Sequence, residues 1–248
     1  MKHRSIFAAV AIVAIATVLA CVACSSPSAY RPEPTVQTPN DVVDFNQLYG
    51  QNCAGCHGAD GKGGAAIALA NPVFLAIADD TVIRRIASNG VPGTPMPAFA
   101  QSAGGMLTEK QIDVIVSGIR SWAIPNAVGS QTPPPYIALV PGDAQRGADA
   151  YRTYCSSCHG ADGRGGANAS SIVDGSYLAL VSDQQLRTVV IAGRPELEAP
   201  DWRGDVEGRP MSGQDISDVV AWLSSQRPKF PGQPYPTAAA GPAQGGIR

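Results

Sequence analysis

Apolar residues recur at helical spacing most clearly near the end of each half of the chain. After Thr108 they fall at Ile112, Ile115, Val116 and Ile119; after Ser212 they fall at Ile216, Val219, Val220 and Leu223. Positions three, four and seven apart share one face of a helix, and Thr and Ser are good N-caps. The pattern therefore predicts a helix starting at each of these two residues. A weaker stripe, with Phe45, Leu48 and Tyr49 on one face, predicts a helix from Asp41 to about Asn52, and its counterpart runs from Asp143 to about Tyr154. Further helices are predicted over Asp80–Ser88 and Asp183–Ala192. No segment alternates as a strand would, so the expected class is all-α.

The beginning of the chain has a different pattern. Lys2, His3 and Arg4 precede an unbroken apolar or small run from Ile6 to Ala20, the charged and apolar regions of a signal peptide. A bilayer span wants about 20 apolar residues, and this run is marginal even when carried through Cys24. Val18, Leu19, Ala20 and Cys21 resemble a bacterial lipobox, in which the cysteine thiol receives lipid and becomes the mature N-terminus. Cys24, followed by Ser25, Ser26, Pro27 and Ser28, is the competing site, and an uncleaved helical anchor is the remaining reading. All three place the rest of the chain outside the cytoplasm and tethered to a membrane, in the periplasm or on the outer face of the cytoplasmic membrane.

The remainder is a duplication. With a shift of about 103 residues, Cys53 to Ala65 meets Cys155 to Ala167, and Phe74 to Ile77 meets Tyr177 to Leu180. Gly90 and Pro92 meet Gly193 and Pro195, and Leu107 to Ile112 meets Met211 to Ile216. Solenoid repeats recur every ~20–50 residues, so this period means two copies of a whole domain. The expected division is a signal peptide over 1–20, an extended spacer over 21–40, a first domain over 41–124 and a Pro-rich linker over 125–141. A second domain over 142–227 and a tail over 228–248 complete it.

Composition narrows the function. Eighteen Lys and Arg against 20 Asp and Glu remove the electrostatic case for nucleic-acid binding. With 27 glycines and 21 prolines, helices should be short and connections long. Domains of roughly 80 residues with little apolar bulk are near the size where a core alone barely suffices, so something else should help fill the interior.

The six cysteines and three histidines say what. Apart from Cys21, Cys24 and His3, they form two Cys-x-x-Cys-His motifs: Cys53, Cys56 and His57, then Cys155, Cys158 and His159. This is the attachment signature of c-type haem: two thioethers fix the haem vinyl groups, and the next turn brings the histidine to one face of the iron. A zinc ribbon would bring its pairs within about 15–20 residues of each other, whereas 98 residues separate Cys56 from Cys155. A thioredoxin-like redox pair needs a βαβ context that is absent, and disulfides would leave His57 and His159 unexplained.

Each half thus resembles a class I cytochrome c domain, and together they resemble a tandem dihaem cytochrome c. The resemblance implies a few helices wrapped around one covalent haem in each domain, two haem c in all. It also implies a place beside quinol-oxidising complexes, terminal oxidases or soluble cytochromes. One departure is visible in both copies. The family has a Gly-Pro pair about ten residues after the histidine, whose carbonyl orients the ring; here those stretches read Ala65–Ala70 and Ala167–Ile172.

A haem kept for electron transfer normally holds a second axial ligand, and a thioether raises its potential. In the first half Met96, between Pro95 and Pro97 and 39 residues after His57, is the candidate; Met106 is the second choice. In the second half Met96 corresponds to Ala199 and Phe99 to Trp202, and the one methionine is Met211, which matches Leu107. Two readings stay open: Met211 reaches the second iron, or it is a core residue and that iron is five-coordinate or otherwise ligated. The first is preferred, because an open iron exposed to oxygen needs a specific reason. The expected function is a membrane-tethered carrier that relays single electrons between a respiratory or photosynthetic complex and another redox partner. The competing reading is a peroxidase-like or sulfur-compound oxidoreductase with the second haem as its reactive site.

Overall fold

The ends of helices in this chain are set by short polar side chains. In the computed structural model, which describes residues 37–204 and 206–229, nearly every helix longer than one turn starts at an Asp, Asn, Thr or Ser whose side chain accepts a backbone N–H. The basic cluster, Cys21, Cys24 and the tail beyond residue 229 lie outside the described residues. The first copy contains α1 (Phe45–Asn52), α2 (Ala54–His57), α3 (Pro72–Ile77), α4 (Asp80–Asn89) and α5 (Glu109–Arg120). The second repeats the order as α6 (Ala144–Tyr154), α7 (Ser156–His159), α8 (Gly175–Leu180), α9 (Asp183–Ala192) and α10 (Gly213–Ser225). Among the described residues there is no strand, only isolated bridges. The chain is all-α, as expected.

Thr108 and Ser212 cap α5 and α10 with reciprocal boxes to Gln111 and Asp215. The first helix starts later than expected: Asp41 closes a 3-10 turn, and Asp44 caps α1 by accepting the Gln47 N–H at 2.8 Å. The short helices α3 and α8 were not foreseen. Each begins after a capping residue, Asn71 or Asp174, and α3 has Pro72 at its first position, where the missing N–H costs nothing.

All eight apolar positions predicted on α5 and α10 are buried, each contributing about 1.5–3 kcal/mol of transfer free energy. The last helix of each copy crosses the first, and the two crossings exchange large for small. In the first copy a Cβ on Gly118 would overlap the Phe45 ring; in the second a Cβ on Gly147 would overlap the Asp218 backbone and crowd Trp222. Gly147 occupies Phe45's place and Trp222 occupies Gly118's. The rings differ accordingly: Phe45 and Tyr49 each meet Trp122 edge-on, at 5.3 and 5.1 Å, and tilt against each other at 5.5 Å, whereas Tyr151 stacks on Trp222 at 4.3 Å.

An arginine ties the end of the third element to the last helix in both copies. Arg120 donates to the carbonyls of Leu75 and Ala78 and pairs with Asp80. Arg227 donates to Leu178 and Val181 and pairs with Asp183. The acceptors match one for one, but Arg227 lies a turn further along the chain than a strict repeat of Arg120 would.

The two copies touch within one compact unit that runs from Asn40. Asn71 caps α3 through its Oδ1 and donates from Nδ2 to the Ala192 carbonyl at 3.0 Å, while Arg194 Nη2 donates to the Gly64 carbonyl at 3.0 Å. The linker is docked rather than free. Tyr136 is buried, and the carbonyls of Pro135 and Tyr136 accept from the buried Arg187 guanidinium.

Candidate haem-binding sites

Each Cys-x-x-Cys-His segment is one helical turn set against the end of the first helix. Cys53 closes α1, its N–H donating to the Tyr49 carbonyl at 2.8 Å, and α2 carries the chain to His57. Gly58 then takes φ +81° and Gly160 φ +80°, a left-handed geometry that suits glycine. The Tyr49 hydroxyl donates to the Gly58 carbonyl at 2.9 Å, and Tyr151 makes the same bond to Gly160. These two tyrosines lie four residues ahead of the first cysteine in both copies, a signal the motif itself does not contain.

Behind the turn the chain folds back closely. A Cβ on Gly64 would overlap the Cys56 carbonyl, and one on Gly166 would overlap that of Cys158. The returning loop supplies the acceptors that the absent Gly-Pro pair left open. His57 Nδ1 donates to the Ile67 carbonyl at 2.8 Å, and His159 Nδ1 donates to that of Ser170 at 2.8 Å. Ser170 is one position later than a strict repeat of Ile67, and the Gly165–Ser170 bridge takes up the extra residue. A carbonyl only accepts, so Nδ1 carries the proton in both rings and Nε2 keeps its lone pair. Burial pushes the His57 pKa down, against the Ile67 hydrogen bond, and favours the neutral imidazole that can ligate iron.

The four cysteines of the two motifs are free thiols. Burial, with the neighbouring Cys56 second, raises the Cys53 thiol to about 11; burial, with Cys158 second, does the same to Cys155. A reactive redox pair needs a depressed thiol pKa, and burial moves Cys53 and Cys155 the other way. Among the described residues no three His, Cys, Asp or Glu side chains gather as a metal site of their own. Two unpaired thiols and one oriented Nε2 per turn are the donor set of a covalently attached haem c, and the residues present fit that group.

The loops after α4 and α9 share a backbone pattern. The Val91 N–H donates to the Met96 carbonyl at 3.0 Å; the Arg194 N–H donates to the Ala199 carbonyl at 2.9 Å. A Cβ on Gly90 would overlap Pro97, and one on Gly193 would overlap Pro200. Ala199 therefore occupies Met96's place. Met96 is half-buried and its N–H donates to Thr94 Oγ1 at 3.3 Å, whereas Met106 is 78% exposed beside the start of α5. Met211 and Leu107 are each 6% exposed. Their N–H groups donate to the carbonyls of Trp202 and Phe99 at 2.8 and 2.7 Å.

Comparison with known proteins agrees with the duplication. The family described as "Cytochrome C oxidase, cbb3-type, subunit III" matches residues 40–117 and again 142–223. The chain is similar to the "Cytochrome bc1 complex cytochrome c subunit" of Mycobacterium tuberculosis, at 28% identity over 209 residues, covering 81% of this chain and 69% of that protein. The subunit of the same description from Mycobacterium leprae is 25% identical over 210 residues, covering 81% of this chain and 67% of that protein. The "Cbb3-type cytochrome c oxidase subunit CcoP" of Azospirillum sp. is 31% identical over 156 residues, covering 56% of this chain and 47% of that protein.

Proposed function

Since the chain belongs to the cbb3-type cytochrome c oxidase subunit III family and carries that domain twice, we propose that it is a dihaem cytochrome c relaying single electrons between a quinol-oxidising complex and a terminal oxidase or soluble cytochrome. The observation that carries the reading is the repeated turn in which a histidine, its Nδ1 committed to a carbonyl, follows two free thiols. In this reading Cys53 and Cys56 would hold one haem with His57 as an iron ligand, and Cys155 and Cys158 would hold the other with His159. Met96 would supply a thioether to the first iron. Bound haem supplies reversible one-electron chemistry.

The protein's own residues set the conditions for that exchange. Ile67 and Ser170 fix the two imidazole planes, as the partners of a ligating histidine's second nitrogen generally do. Pro95 and Pro97 stiffen the loop on either side of Met96. Asn71 and Arg194 bind one haem-carrying copy to the other, which favours relay within a single chain over two independent carriers. The partners are supported by the relatives, which are a bc1 complex cytochrome c subunit and a cbb3-type cytochrome c oxidase subunit.

Export and membrane tethering belong to the same proposal, through lipid on Cys21 or an N-terminal helix. Among the described residues no helix is long and apolar enough to cross a membrane.

The test is the mass of the denatured chain together with its visible spectrum. Two covalent haems are expected; Cys56→Ser and Cys158→Ser should each disturb attachment of one and leave the other. A chain purified from a host competent in haem attachment with one haem or none would sink the reading.

A further inference from the structure

We propose that the second haem-binding copy offers no protein donor on the side opposite His159, and that this side is a receptor for one small exogenous haem ligand, of the class that includes carbon monoxide, nitric oxide, cyanide and imidazole. The inference rests on the dihaem reading and specifies what its second site binds.

The backbone excludes a shifted register. The Arg194 and Ala199 N–H groups donate to each other's carbonyls, at 2.9 and 3.1 Å, which pins Ala199 to the position Met96 holds in the first copy. A methyl group offers no lone pair. Next to it, Glu198 is held at φ +59°, and Glu196 is paired with the Arg194 guanidinium. That same guanidinium also donates to Gly64 of the first copy, so the loop is held from outside as well.

Met211 is committed elsewhere. It lies in the core at Leu107's place, and the next residue, Ser212, caps α10 through the box with Asp215. Its N–H is bonded to the Trp202 carbonyl and its neighbour is the helix cap, so the backbone that carries the sulfur is fixed on both sides. Moving the sulfur to an iron would empty a buried site. The core position of Met211 thus favours the second of the two readings open at the level of sequence. Among the described residues of the second copy there is no other methionine, and no histidine besides His159.

The asymmetry is tested on the purified dihaem protein, with haem content measured first. A chain without two covalent haems defeats the dihaem reading before any ligand is added. With two haems present, carbon monoxide titrated into the dithionite-reduced protein should bind to half of the haem, one per chain. Met96→Ala should raise this to two per chain. Ala199→Met should abolish it and raise the potential of the second haem, since an axial thioether raises potential. Met211→Leu should leave both the spectrum and the stoichiometry unchanged. Two haems that bind no carbon monoxide overturn the proposal, as does a Met211→Leu variant that gains a binding site. A single site whose stoichiometry Met96→Ala leaves unchanged also overturns it, by placing that site on the first haem. If Ala199→Met does not fold, the wild-type and Met211→Leu measurements still decide.

Discussion

Asp218 shows how one position can separate two copies of a domain. It is 4% exposed on α10, where the first copy carries Val114, and it accepts from Arg146, the Asp143 N–H and Gln214. Burial alone would raise its pKa, but these hydrogen bonds outweigh it and hold the carboxyl below the ordinary range. The folded pKa is thus lower than the unfolded value of about 3.9. Its stabilisation is complete above that value and is lost as pH falls through the folded pKa. Acid should therefore loosen the second copy before the first: hydrogen exchange on α10 should rise below about pH 4 while α5 stays protected. Asp218→Asn should cost about 1–2 kcal/mol at neutral pH, less than a fully buried pair would lose, because the Arg146 side chain is 60% exposed and solvent screens it. Urea unfolding at several pH values checks this, and a cost that persists undiminished in acid would refute it. The Cys-x-x-Cys-His residues were legible in the sequence because the motif has a fixed spacing. Ile67 and Ser170 were not, because a backbone carbonyl acts as acceptor whatever side chain it carries.

Helices α5 and α10 could be read from the chain because three turns of apolar spacing and a polar cap agree. Helices α3 and α8 could not: six residues each are too few to establish a period, and only Asn71–Pro72 and Asp174 announce them. The arginine clamps were hidden for another reason. Arg120 and Arg227 reach equivalent acceptors from positions a turn apart, so aligning the chain with itself never pairs them. The crossings of first and last helix give a sharper test. Gly147→Ala pushes a methyl against backbone, which cannot turn aside, whereas Gly118→Ala meets the ring of Phe45. Overpacking typically costs about 1–3 kcal/mol, and Gly147→Ala should lie at the upper end with Gly118→Ala below it. Adding Phe45→Leu to Gly118→Ala should recover part of the loss. Thermal melts of the three variants decide, and equal costs for the two glycine substitutions would contradict the packing described.

At the scale of the whole molecule, the sequence shows a proline-rich linker over 125–141 and no sign of what it touches. The structure fastens Pro135 and Tyr136 to the second copy through Arg187 and joins the copies through Asn71 and Arg194. Neither joining residue is conspicuous in the sequence: Asn71 reads as a helix cap and Arg194 as a loop cation. Asn71→Ser should preserve the cap on α3 while removing the donor to Ala192. The expected cost is about 1–2 kcal/mol, with faster hydrogen exchange in residues 191–194 and unchanged exchange in α5 and α10. If exchange in residues 191–194 stays as it was, the bond contributes nothing to holding the copies together.

The large-for-small exchange at the helix crossings also bears on how such a gene can be inherited. The two Cys-x-x-Cys-His segments are nearly identical, which makes them natural sites for unequal recombination. A crossover between them would join α1, with Phe45, to the last helix bearing Trp222, and the reciprocal product would join Gly147 to Gly118. One descendant would have two rings competing for a single gap, and the other would have a hole where a ring belongs. The single-domain product thus inherits no matched pair of helices, and neither does the extra middle domain of the three-domain reciprocal product. Divergence at two positions in each copy therefore acts as a lock on the duplication, selecting against its collapse back to one haem-binding unit.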